Sequence, residues 1–241
     1  MAVKFHDYID QAASDPTLYA SLDGFWEGNN VGTRSVKVVT GELPGQGEGE
    51  ILVGAHHDSV YISPGAVDNA VGVAQLLEVA TQLSELNLES TVTFATWGGE
   101  ELGLLGSQAY IQAYQEEVDA LDLYVNLDST NLDPAKGLGT LGIEASEARL
   151  VDSISRIQKD VLSHDAWADY DTTVQLNELG GNSDHRAFNQ HGTTNVGFYG
   201  WEYEQYHRAT DVPNVVHHDG LALTVEIVLQ ILVAQGWSRK R

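Results

Sequence analysis

Short apolar runs rich in β-branched residues alternate along the chain with stretches of helical period, an order that points to a mainly parallel sheet with helices on its faces. Ser35–Val39 predicts a first strand and Ile51–Ala55 a buried one, separated by a turn holding Gly45, Gly47 and Gly49. Between Asn69 and Leu86 the apolar positions Val73, Leu76, Leu77, Ala80 and Leu83 recur at helical spacing. Thr91–Trp97 then predicts a strand, Ser107–Tyr114 a helix, Leu121–Leu127 a strand and Glu147–Leu162 a helix. Thr194–Tyr199 predicts a further strand and Leu221–Gln235 a strongly apolar closing helix. Residues 1–30 are expected to add a helix packed on the outside. No internal repeat, low-complexity tract or linker interrupts this order, so the expectation is one three-layer α/β domain over residues 1–241, a mixed, mainly parallel sheet flanked by helices.

In such sheets, ligands bind in the crevice beyond the carboxyl ends of the strands. The residues just past each predicted strand are therefore informative. His56-His57-Asp58 comes after the second, Gly98-Gly99-Glu100-Glu101 after the third, and Asp128 after the fourth, while His207 lies beyond the last. Chain order thus lines one edge with histidines and carboxylates, a negative field that calls for a cation.

Composition restricts the partners. Across 241 residues, 35 Asp and Glu oppose 12 Lys and Arg, a net charge of −23 that repels nucleic-acid backbones and anionic lipid surfaces. No cysteine is present, which removes disulfides, thiolate nucleophiles, cysteine-ligated zinc and iron–sulfur clusters together. No apolar run reaches the ~18 residues of a membrane span, and Met1-Ala2-Val3-Lys4 leads into a polar segment rather than a signal-peptide core. The expectation is a soluble chain whose compartment stays open, since an export signal can be removed. An acid excess with only five lysines fits adaptation to high salt, and it equally fits a surface that simply favours solubility.

Histidine with several carboxylates and no thiolate suits zinc or another divalent transition metal rather than calcium, which takes oxygen alone. The number of acids suggests two ions. A pair of metals about 3.5–4 Å apart can clamp a water and lower its pKa, a route to hydrolysis of amides or phosphates.

The segments GAHHDS (54–59), PGAVDNAVG (64–72), GEELGLLGS (99–107), NLDST (126–130), SDHRAF (183–188) and YHRATD (206–211) resemble, in order, the motifs of the co-catalytic zinc aminopeptidases of peptidase family M28. The resemblance implies the zinc-peptidase-like phosphorylase/hydrolase fold and an aminopeptidase acting on peptides through two zinc ions. It further implies that His56 and Asp128 hold one zinc, that Glu101 and His207 hold the other, and that Asp68 bridges both. Glu100 would be the general base, and Asp58 would accept the ring N–H of His56 and fix its tautomer. The resemblance also implies a cis peptide between Asp68 and Asn69.

Other residues receive plainer readings. His57 faces away from His56 on an extended segment. His6, His164, His191, His217 and His218 are read as surface residues, and Asp68 could serve partly as a helix N-cap. Some family members carry a tyrosine three residues before the Ser of the SDH element, where it polarises the substrate carbonyl; here that position is Gly180, leaving His185 or a nearby tyrosine to donate. The last motif reads His207-Arg208-Ala209 where His-Thr-Pro is frequent. A metallocarboxypeptidase or glutaminyl cyclase on the same scaffold is the alternative enzyme. A binding protein that has lost catalysis is the alternative from another class.

Overall fold

The computed structural model describes residues 4–7, 19–21, 33–177, 180–200 and 203–237. In chain order the strands are β1 (Lys4–Asp7), β2 (Tyr19–Ser21), β3 (Thr33–Ser35), β4 (Val38–Leu43), β5 (Glu50–His56), β6 (Thr91–Trp97), β7 (Leu123–Asp128), β8 (Thr140–Ala145), β9 (Asp171–Leu176) and β10 (Asn195–Tyr199). The helices are α1 (Val71–Ser84), α2 (Leu105–Ala113), α3 (Gln115–Asp119), α4 (Ala148–Val161), α5 (His185–His191) and α6 (His218–Trp237). Strands β2 and β3 form a separate antiparallel ribbon. Among the described residues the other eight make one sheet in the order β1-β4-β6-β5-β7-β10-β8-β9. Its centre, β6-β5-β7-β10, is parallel, whereas β4 and β8 join its two sides antiparallel.

The central strands read as nearly unbroken apolar runs because helices cover both faces. On β5, Ile51, Val53 and Ala55 face a core completed by Leu76 and Leu83 of α1, Ile154 of α4 and Ile227 of α6. Leu52 points the other way, into a second core with Trp97, Tyr124, Ile111 of α2 and Phe188 of α5. Side chains alternate along an extended strand, so one strand feeds both cores. The closing helix shows little sidedness in sequence because it is buried widely, with Leu223, Ile227, Val228, Ile231 and Leu232 at most 3% exposed.

The main strands and helices fall within a few residues of the expected positions. The first strand is displaced, with β4 at Val38–Leu43 rather than Ser35–Val39. Helix α1 starts at Val71, after an irregular turn at Ala66–Ala70 that carries the cis Asp68–Asn69 peptide. Strands β8 and β9 and helix α5 have no counterpart in the periodicity. Strand β9, DTTVQL, is an edge strand whose side chains are largely exposed, so no apolar alternation marks it. The helix expected within residues 1–30 falls mostly outside the described residues, and the two described pieces there are strands. No helix among the described residues is long and apolar enough to cross a membrane.

Candidate active site

The parallel strands deliver side chains to one edge of the sheet. His56 is the last residue of β5, Asp128 the last of β7 and Tyr199 the last of β10, while Glu100 and Glu101 come just after β6. Asp68 reaches this edge from the turn before α1. His207 arrives from the 203–212 segment in the left-handed backbone region, φ 56°.

The sequence-expected ligands converge. His56 Nε2 lies 3.2 Å from Asp68 Oδ1 and 3.3 Å from Asp128 Oδ1. His207 Nε2 lies 3.1 Å from Asp68 Oδ2 and 3.1 Å from Glu101 Oε2. Two three-residue groups able to hold a metal ion result, His56–Asp68–Asp128 and Asp68–Glu101–His207, and they share Asp68. The donors fit zinc: each group offers one imidazole nitrogen and carboxylate oxygens, with no thiolate. His207 Nε2 and Glu101 Oε1 are also buried without a hydrogen-bond partner, as expected of atoms shaped for a cation.

The electrostatics agree. Burial pushes the carboxyls of Glu100 to about 9 and Glu101 to about 8, reinforced by neighbouring carboxylates (Asp128 and Asp184 around Glu100, Asp68 around Glu101) and opposed by His56. Burial would also raise Asp128, but His56 and the hydroxyls of Ser183 and Ser129 bring it down to about 2. His56 itself is pushed well above its ordinary value, Asp128, Asp58 and Asp68 outweighing the effect of burial.

Asp58 meets His56 and does more besides. The nearer acceptor for His56 Nδ1 is the main-chain carbonyl of Asp58, at 3.1 Å, with its carboxylate 3.7 Å away. That carboxylate also accepts the backbone N–H groups of Glu100 at 3.1 Å and Glu101 at 3.3 Å, and so fixes the turn on which both acids sit. His57 is exposed and turned to Thr96 Oγ1 at 3.1 Å, outside the cluster. The N-cap position of α1 is Ala70, not Asp68, and the side chain that reaches the first turn is that of Asn69, whose Oδ1 accepts from Gly72 N and also from Ser129 N, both at 3.0 Å. His185 lines the pocket but is only 2% exposed.

Two residues carry no sequence signal beyond their place in the last motif. Asp211 is fully buried and accepts from Val67 N at 2.9 Å, Asp68 N at 3.2 Å and the Tyr203 hydroxyl at 3.0 Å, so it holds the backbone of the shared carboxylate. Tyr206 stacks on His207 and borders, with Tyr203, Tyr199, Phe198 and Glu100, a cavity of about 170 Å³. Arg186 and Arg208 are exposed, and neither lines that cavity.

A mainly parallel sheet with two groups able to hold a metal ion, sharing one carboxylate at its carboxyl edge, defines a class of α/β protein with a candidate metal site. The family model for peptidase family M28 matches residues 38–232, and the chain belongs to that family. It is 34% identical over 156 residues to the probable lipoprotein aminopeptidase LpqL of Mycobacterium tuberculosis, an alignment covering 53% of this chain and 31% of that protein. It is 32% identical over 151 residues to aminopeptidase YwaD of Bacillus subtilis, covering 61% and 31% respectively. The chain thus spans about a third of the length of these curated relatives. The fold matches BSAP, a zinc aminopeptidase from Bacillus subtilis, with a TM-score of 0.73 at 24% identity over 85% of this chain and 51% of that one.

Proposed function

We propose that residues 1–241 form one peptidase domain, a two-zinc aminopeptidase that removes the N-terminal residue of a peptide. The observation that carries this reading is the division of one carboxylate between two histidines, Asp68 Oδ1 toward His56 and Oδ2 toward His207. His56 and Asp128 would hold one zinc, Glu101 and His207 the other, and Asp68 both. Bound there, the ions would polarise a carbonyl and make a water more acidic.

Glu100 lies beside both groups and belongs to neither. It takes the proton of the attacking water at its carboxylate and returns it to the leaving amine. Its burial supports that part, because a carboxylate drawn out of water holds a proton more readily. Tyr206 rather than His185 donates to the carbonyl oxygen. Tyr206 borders the cavity, and burial, with Asp68 and Glu101 nearby, raises its hydroxyl to about 12, so it keeps its proton. The substrate α-amine is held by the carboxylates themselves, while the side chain enters the cavity beside Phe198 and Tyr199.

A carboxypeptidase would grip a substrate carboxylate with a cation, and no Lys or Arg among the described residues lines the cavity. Metal analysis, together with chromophore release from aminoacyl anilides and from carboxy-terminal substrates, tests the reading. Two zinc ions per chain and release from the anilides alone are expected. A single ion, or release from carboxy-terminal substrates only, would overturn it.

A further inference from the structure

Hydrogen bonds that run from the sheet core to the site have a direction set at their origin. The Trp97 indole can only donate, and its Nε1–H goes to Tyr124 Oη at 2.9 Å. Tyr124 Oη in turn donates to Asn126 Oδ1 at 2.7 Å. An amide whose oxygen is committed this way must present its nitrogen on the other side. There Asn126 Nδ2 donates to Ser183 Oγ at 3.0 Å and faces His185 Nδ1 at 3.5 Å. All five side chains are at most 2% exposed, so solvent does not compete for these groups. Gly54 makes the first bond sterically feasible, because a Cβ there would lie 2.4 Å from Trp97 Nε1 and 2.6 Å from Tyr124 Oη.

We propose that Trp97, Tyr124 and Asn126 are positioning residues, a one-way relay that holds His185 with its proton on Nε2 and turns the Ser183 hydroxyl onto Asp128. A proton on His185 Nδ1 would meet the Asn126 amide N–H head on. A proton on Nε2 meets no such clash: that nitrogen has no hydrogen-bond partner, and the Glu144 carboxylate lies 3.7 Å away. Glu144 accepts from Gln175 Nε2 at 2.9 Å and from the Tyr199 hydroxyl, so the imidazole links the relay to a wall of the cavity. Ser183, accepting from Asn126, gives its own O–H to Asp128. The second arm rests on the reading of Asp128 as a zinc ligand: an oriented donor fixes how that carboxylate is turned before any ion arrives. Tyr124 remains a donor throughout, since burial pushes its phenol well above the ordinary value.

The test is heteronuclear NMR on the full chain labelled with ¹⁵N-histidine, with and without zinc, the His185 signals assigned by their loss in His185→Gln. The wild-type ring is expected to show a protonated Nε2 and an unprotonated Nδ1. Tyr124→Phe frees the Asn126 amide to turn, which should shift His185 toward the other tautomer and weaken zinc retention against a chelator by roughly 10–100-fold. Trp97→Phe should act in the same direction. A wild-type His185 protonated on Nδ1, or a tautomer unchanged in both folded variants, overturns the relay. A changed tautomer with unchanged zinc retention overturns the Ser183–Asp128 arm. Should a variant fail to fold, the wild-type tautomer decides. A chain with the expected tautomer that binds no zinc would refute the ligand reading and leave the His185 arm standing.

Discussion

Tyr206 lies flat against His207, their ring centroids 3.8 Å apart and their planes 20° from parallel. The stack holds the imidazole that meets Asp68 and Glu101, and it sets the Tyr206 ring against the cavity. The ring and the hydroxyl therefore separate under mutation. Tyr206→Phe keeps the stack and removes the donor, and is expected to lower kcat by ~10²–10³-fold with little change in zinc content. Turnover numbers and zinc stoichiometry for that variant check this, and near-normal turnover would eliminate Tyr206 as the carbonyl donor.

Glu100 and Glu101 are adjacent yet separable. Glu100→Gln keeps the shape and removes the base, with an expected loss of ~10²–10⁴-fold in rate and unchanged metal content. Glu101→Gln should release one ion, with activity partly restored by added zinc. Metal analysis and turnover measured side by side distinguish the two; metal loss at Glu100 would reverse the assignment.

The metal-free chain should lose stability as pH rises through neutrality. Glu100 and Glu101 are held at about 9 and about 8 in the fold, above the ordinary 4.5, so the native state binds more protons than the unfolded chain across that interval. The raised His56 acts with the same sign, since its stabilising charge is lost as pH climbs through its folded value. Melting temperature of the chelated protein should therefore fall between pH 5 and pH 9, and zinc should flatten the slope. A chelated protein whose melting temperature rises over that interval would contradict the buried placement of these acids.

Salt should stabilise the chain. At −23 the folded state repels itself, and ions screen that repulsion over ~10 Å at 0.1 M. A melting temperature that stays flat or falls between low salt and molar KCl would argue against high-salt adaptation without touching the peptidase reading.

Strand-end chemistry is legible in the sequence because strand ends fix which edge a side chain reaches: His56, Asp128 and the Glu100–Glu101 pair need only the strand pattern to be placed together. The parts of Asn69, Asp211 and Asn126 are not legible. Each acts through a hydrogen bond to a residue far away in sequence, Asn69 to Leu127, Asp211 to Asp68 and Asn126 to Ser183, and no periodicity encodes such partners. Asp58 shows the opposite lesson. Its spacing from His56 suggests a side-chain contact, which the carboxylate makes at 3.7 Å, but the spacing does not show that its main-chain carbonyl comes closer to the ring or that the same carboxylate holds the turn after β6.

Asp211 gives the site a mechanical character. It grips the backbone of Val67 and Asp68 through its carboxylate and that of Ala66 through its main-chain carbonyl, and it lies four residues from His207 on the same segment. The turn that carries Asp68 and the segment that carries His207 are thus latched into one body. Pulling His207 away drags Asp68 with it, and Asp68 is also the contact of His56. The two groups are mechanically tied, so an ion lost from one should loosen the hold of the other, and the zinc remaining in Glu101→Gln should be retained less tightly than in the intact chain.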